Sequence, residues 1–383
     1  GGRGQCCHCR QPDRGVPERI AGRLETFGSL PYPSRFVGLA YSSKDSGWRP
    51  SPVLPHNTTG VYGNGGYSLT HLVVKQVSTE ATIQDGGRFG HLRLGFTEGG
   101  AADPLSMKLA NLLVNNLPET AGIEIAYGGL VLESALDCWI SVTGASCDLF
   151  VNDVPVEMAC RHTIRTGDLI RVGQCHHGVY SFLAISGGVD SPAVLGSRST
   201  VAREHLGGIS GRPLRNGDRI PIDKSAFFTP RSSNFPEPIS EGCLRTNYSH
   251  LTLRILPGFD YEDFDPAAVS QLLYSDFKVT GASNRMAIQL KGPVVSTGIT
   301  QVWSEGTCYG CLQIPGNGQP LVLLNDRQTI GGYPKFGAIT PADCIRLAQS
   351  RPGCTVNFEL VPLEQAERLQ WLSCHYQDTL LSA

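Results

Sequence analysis

Residues 326–335 bring Asp326, Arg327, Gln328, Thr329, Tyr333 and Lys335 together behind an unbroken apolar run at 321–324. That run is too short for a helix and is bounded by turn residues, so it reads as a buried strand. A buried strand that empties into charged groups is unfavourable unless those groups meet partners or a ligand. Arg327 carries the forked donors that grip a planar carboxylate. Gln328 offers a donor and an acceptor, and Lys335 adds a cation. Gly331 and Gly332 permit close backbone approach. The plainer alternative is a polar hairpin tip with Asp326 paired to Arg327.

Other segments offer chemistry more sparsely. Gln84, Asp85 and Arg88 gather at a strand end among glycines, as part of a site or as a turn held by an Asp85–Arg88 pair. Arg198 lies between Ser197 and Ser199, and either clamps an anion or packs on a neighbouring strand. Glu124 has isoleucines on both sides. Burial would raise its pKa and fit it for acid–base work; the alternative is a structural hydrogen bonder. Asn284 and Arg285 either face the site or pin a turn. Cys308-Tyr309-Gly310-Cys311 has redox spacing, but it precedes a strand instead of opening a helix. Cys175-His176-His177 reads as a hairpin turn, and Cys6-Cys7-His8-Cys9 places its ligands too close for a tetrahedral metal. No metal site is expected. The sequence has no GxxxxGK[ST] or helix-opening GxGxxG phosphate loop, so a nucleotide would be held unusually or by a partner chain. No Met-Lys-Met biotin attachment site occurs, so covalent biotin is not expected on this chain.

The elements that must position these groups follow from composition. With 383 residues the chain can hold two ordinary domains. A net charge of −2 gives no push toward nucleic acid or an anionic membrane. Forty-five glycines and 25 prolines, with 17% charged residues, favour short strands and turns over long helices. No apolar run approaches the roughly 20 residues that span a bilayer. Thirteen scattered cysteines, an odd number, point to a reducing, cytoplasmic setting. Helices are expected to start at Asp103-Pro104, Asp265-Pro266 and Thr340-Pro341, each with a capping residue before proline. Short strands are expected at 72–77, 139–142, 148–151, 169–172, 180–185, 251–256, 287–290 and 356–360. The expected layout is an extension (1–67), a first β domain (68–223), a linker (224–249), a second β domain (250–365) and a C-terminal helix and tail (366–383).

Several runs carry a resemblance. They are Thr82-Ile83-Gln84-Asp85 through Gly90, Gly196-Ser197-Arg198-Ser199-Thr200, Ser283-Asn284-Arg285-Met286, Ser304-Glu305-Gly306, Gln313-Ile314-Pro315, and Asp326 through Lys335. Together they resemble the biotin-dependent carboxyltransferase family of subdomains A and B, whose members also go by allophanate hydrolase subunit 2, KipA-like, or the C subunit of 5-oxoprolinase. The resemblance implies a mainly β fold of two cyclophilin-like β-barrel domains with a few short helices. It implies one component of an ATP-dependent complex hydrolysing 5-oxoproline to glutamate. Its partners would be a KipI-like sister chain and a LamB/YcsF-like sister chain, and ATP would be bound with or by one of them. Alternatives within the family are the carboxyltransferase half of a urea carboxylase and a non-catalytic regulatory partner of a kinase. The expected catalytic groups are Glu124, Asp85 and Lys335, and the expected substrate contacts are Arg327, Gln328, Arg198, Asn284, Gln313 and Tyr333. The loop at 95–100 departs from the family pattern, which would alter substrate or activity if it lines the site.

Overall fold

The computed structural model describes residues 70–223, 249–299 and 302–382. The expected extension, the Cys6-Cys7-His8-Cys9 cluster and all but the last residue of the expected linker lie outside the described residues.

Nine strands share the first sheet: β1 (His71–Val77), β2 (Ala81–Gln84), β3 (Gly122–Ala126), β4 (Gly128–Ser134), β5 (Cys138–Val151), β6 (Val154–Val156), β7 (His162–Ile164), β8 (Leu169–Ile185) and β9 (Arg219–Pro221). Their order is β2-β3-β8-β4-β1-β9, with β5 pairing β6, β7 and β8. Alternating burial along β4 presents Leu130 and Leu132 to a core that includes Leu72, Ile83, Ile123, Ile140 and Ile170. Two long strands replace four expected short ones. β5 and β8 pair along most of their lengths through successive register shifts at 144–149. Gly144 and Gly178 supply the positive φ values that let the bent ribbon continue where side chains would end it. Cys175-His176-His177 therefore belongs to β8 instead of a turn, and His176 pairs with the exposed Asp148 at 3.1 Å.

The second half contributes β10 (His250–Pro257), β11 (Phe277–Val279), β12 (Ala287–Lys291), β13 (Glu305–Gly306), β14 (Cys311–Gln313), β15 (Leu321–Leu323), β16 (Ile330–Gly331), β17 (Lys335–Ile339) and β18 (Thr355–Leu360). Seven of these close a barrel in the order β10-β17-β14-β15-β12-β11-β18, while β13 and β16 form a separate two-stranded ribbon. The seal between β10 and β18 is parallel. Leu253, Ile255, Leu312, Val322, Phe336 and Val356 fill the interior, with Tyr261 and Phe264 packed edge-on against Phe336. Strand exceeds helix by 38% to 19%, so the mainly β expectation holds; one sheet closes, and the other is a half-barrel.

Four helices stand among the described residues: α1 (Pro104–Leu113), α2 (Pro266–Leu273), α3 (Pro341–Ala348) and α4 (Leu363–Ser382). Asp103 caps α1 as its sequence implies, accepting from Ser106 N–H at 3.1 Å. Asp265 occupies the corresponding position before α2, but its side chain makes no capping bond. α4 starts three residues before the expected C-terminal segment (366–383) and runs helical to Ser382, where a helix followed by a tail was expected.

Helix α3 is tied to β10 by Asp343, which is fully buried. Its carboxylate accepts from Arg254 N–H (2.9 Å), Nε (2.7 Å) and Nη2 (2.6 Å). Burial alone would raise this carboxyl; the Arg254 hydrogen bonds override it and hold the group below its ordinary range. A depressed acid contributes stability above the unfolded carboxylate range and loses it as pH falls through the folded value. Asp343→Asn should therefore lower unfolding free energy by about 3 kcal/mol at neutral pH. Urea titrations at pH 7 and at acid pH should find the gap between variant and wild type narrowing in acid.

Candidate functional site

The two halves meet through polar groups. Arg285, 5% exposed, donates through Nε and Nη2 to Asp326 at 2.9 and 3.0 Å, through Nη1 to Glu124 on β3, and through Nη2 to the Gly100 carbonyl at 2.7 Å. Glu124 also accepts from Ala102 N–H at 2.6 Å. Burial raises the Glu124 carboxyl above its ordinary range even though Arg285 works against it. Burial would likewise depress the Arg285 guanidinium, but Asp326 and Glu124 outweigh it and raise the group. Nearby, Arg327 Nη2 reaches Glu98 at 2.9 Å, and the Thr97 hydroxyl lies 3.0 Å from the Arg327 carbonyl. Asn325 Nδ2 faces the Gly99 and Ala101 carbonyls at 3.3 and 3.2 Å. The 95–100 loop, singled out in the sequence for its departure from the family pattern, is thus the surface against which residues 325–327 pack.

A second polar group sits at the rim of the barrel. β14 and β17 pair with Leu312 opposite Gly337 and Gln313 opposite Lys335, so Phe336 is skipped in a bulge. Phe336 and Leu312 fill the core while Gln313 and Lys335 share the other face, as directly opposed residues must. Lys335 Nζ has only a 3.4 Å contact with the exposed Glu305. Gln313 is fully buried, and neither amide atom has a hydrogen-bond partner. The β13–β16 ribbon covers it: a β-carbon at Gly331 would lie 2.9 Å from Gln313 Nε2 and 3.2 Å from Thr307 Cγ2, so a larger residue there would press on the Gln313 amide. The Thr307 hydroxyl donates to the Gln328 carbonyl and ties the Arg327–Gln328 loop to the ribbon. Beside it, the exposed Cys308 thiol is held down at about 7, chiefly by its hydrogen bond with Cys311, with Arg327 adding to the effect.

Of the residues singled out by sequence, Gln313, Gln328 and Lys335 gather at this rim, Tyr333 precedes Lys335 by two positions in the chain, and Arg327 adjoins the rim with its guanidinium turned to Glu98. Tyr333 is 47% exposed. The others lie elsewhere. Asp85 sits in a turn network: its Oδ1 accepts from Gly87 N–H (2.8 Å) and from the Ser197 and Ser199 hydroxyls (2.6 Å each), and its Oδ2 accepts from Arg198 N–H (2.5 Å). The Arg198 guanidinium faces the surface turn, meeting Asp190 at 2.9 Å and the Ser191 carbonyl at 2.7 Å. Asn284 pins its own turn by accepting from Met286 N–H at 2.8 Å. Glu124 belongs to the Arg285 group. Neither local pair forms. Asp326 turns to Arg285, and Arg88 is buried against the Ser199, Thr97 and Val194 carbonyls. Sequence reasoning singled out the 95–100 loop but not the parts Thr97 and Glu98 play in it, and it missed Thr307; the partners of all three are distant in the chain.

One buried amide, a second half-buried one and a lightly held cation suit a small ligand carrying an amide-like edge and a negative charge. A family profile described as "Carboxyltransferase domain, subdomain A and B" matches residues 94–360. The chain is 38% identical over 286 residues to the C subunit of 5-oxoprolinase from Escherichia coli, covering 74% of this chain and 89% of that protein. It is 32% identical over 308 residues to the Haemophilus influenzae protein of the same name, covering 80% and 96%. The fold resembles the crystal structure of the K. lactis urea amidolyase with a TM-score of 0.75 at 24% identity, over 83% of this chain and 20% of that one.

Removing the Arg285 guanidinium leaves Glu124 and Asp326 buried without their counter-charge. Arg285→Leu should cost about 3–5 kcal/mol in urea unfolding. Arg285→Leu combined with Glu124→Leu should recover part of that loss, a coupling that a double-mutant cycle measures.

Proposed function

The chain belongs to the carboxyltransferase family of subdomains A and B, and on that footing we propose that it is the C subunit of a 5-oxoprolinase hydrolysing 5-oxoproline to glutamate. The observation that carries this reading is the Gln313–Lys335 rung, a dry amide beside a cation on the barrel rim. 5-Oxoproline presents a lactam amide and a carboxylate within one small ring, which matches those two groups. In hydrolysis the ring C–N bond breaks, water oxygen joins the carbonyl carbon and the nitrogen takes a proton. Lys335 supplies positive charge where the carboxylate or the developing oxyanion would lie. Gln313 and Gln328 orient the amide, and the ribbon excludes water.

ATP, which supplies activation of the amide oxygen, is assigned to a sister chain. Arg327 is already taken up by Glu98, and Lys335 alone is too little to cradle a triphosphate. Trp303, Ile330 and Phe259 are exposed on or next to the ribbon and β17, at 79%, 62% and 78%. Such an apolar rim fits an interface with a chain of KipI-like or LamB/YcsF-like chemistry. A reducing, cytoplasmic setting suits the free cysteines among the described residues.

A second reading, the carboxyltransferase half of a urea carboxylase, draws on the family description and the urea amidolyase fold. Reconstitution with the sister chains separates the two. We expect ATP-dependent glutamate release from 5-oxoproline, and Lys335→Met should lower kcat/KM by about 100-fold. Biotin-dependent carboxylation of urea with no glutamate release would select the second reading. Trp303→Ser with Ile330→Ser should reduce copurification of the sister chains without lowering the thermal midpoint.

A further inference from the structure

Gln313 is the one buried carboxamide among the described residues with both amide atoms unmet. Gln349 provides the contrast. It is equally buried, but its Oε1 accepts from Val179 and Tyr180 N–H and its Nε2 donates to Asp103 and the Tyr180 carbonyl, all at 2.9 Å. A glutamine that holds this fold together is thus fully bonded. Gln313 makes no such contribution, and an apolar side chain of its size would serve the barrel at least as well. Gly331 keeps a β-carbon away from its Nε2, and the bulge at Phe336 sets Lys335 beside it on the same face.

We infer that Gln313 reads the cis-amide edge of a five-membered ring: Nε2 donates to the ring carbonyl oxygen, and Oε1 accepts from the ring N–H. The two bonds close an eight-membered ring that a trans amide cannot form, because its N–H and C=O point to opposite sides. Lys335 takes the anionic substituent. This rests on the 5-oxoprolinase reading for its first ligand. The ureido ring of biotin presents the same edge, so the shared chemistry names the site and the test distinguishes the sources.

Calorimetric titration of the full chain, alone and with its sister chains, should use 5-oxoproline, N-methyl-5-oxoproline, the corresponding five-membered lactone carboxylate, and biotin. The lactam should bind at least about 100-fold tighter than the lactone or the N-methyl compound, since a site built around a ring N–H rejects analogues lacking it. Gln313→Leu should abolish that ratio without lowering the thermal midpoint. Gln313→Glu, which keeps the shape and loses the donor, should weaken lactam binding and serves if the leucine variant fails to fold. Equal binding of lactam and lactone by the wild type would overturn the inference, as would a ratio that persists in Gln313→Leu. Hydrolysis of 5-oxoproline with that ratio intact in the variant removes the inference and leaves the 5-oxoprolinase reading. Gln313-dependent binding of biotin, without binding of 5-oxoproline, supports the edge and removes the reading.

Discussion

Arg285 is the guanidinium on which the arrangement of both halves depends. It sits in a low-dielectric seam with Asp326 gripped by two nitrogens, Glu124 on a third, and the Gly100 carbonyl completing its shell. One cation faces two acids there, so burial pushes Glu124 toward its neutral form. A buried ionic group of this kind is weak evidence for stability, because a well-packed apolar replacement often does as well. Its geometry, however, is exacting. The fork fixes Asp326, and Asp326 fixes the start of the loop that carries Arg327 and Gln328.

The seam and the rim use similar side chains differently. In the seam, every charge found in the 325–327 segment meets a specific partner: Asp326 meets Arg285, which in turn holds Glu124 of the first half, and Arg327 meets Glu98. The Gln349 side-chain amide adds four hydrogen bonds across the same boundary. At the rim, Gln313 has no partner and Lys335 only a long one. Groups left over after the structure has met its own needs are where a ligand gains most.

Much of this was legible in the chain. Asp103-Pro104 marks a helix start because a side-chain acceptor and a fixed φ are local properties, and the apolar run 321–324 marks a barrel strand for the same reason. Asp265-Pro266 pointed to the right helix for a partly wrong reason, since its capping bond is absent. The local pairs Asp326–Arg327 and Asp85–Arg88 failed because adjacency in sequence says nothing about which distant group competes. Arg285 and Ser199 lie far along the chain and win. The continuity of β8 was hidden because Cys175-His176-His177 reads as a hairpin turn, and in both β5 and β8 the ribbon bends at Gly144 and Gly178 without ending. Gln313 was recognisable as a candidate, but its burial and its missing partners belong to the tertiary structure alone.

The skipped residue in β17 constrains how this chain can vary. Side chains along a strand alternate, so losing or gaining one position between Tyr333 and Gly337 would exchange the places of Lys335 and Phe336. The ammonium would then enter the barrel interior, and the ring would be turned out beside Gln313. Substitutions in this segment leave that alternation untouched, whereas insertions and deletions cannot. The length of β17 should therefore be held more tightly than its composition, and homologous chains should tolerate length changes before Trp303 or beyond α3 far more readily than here.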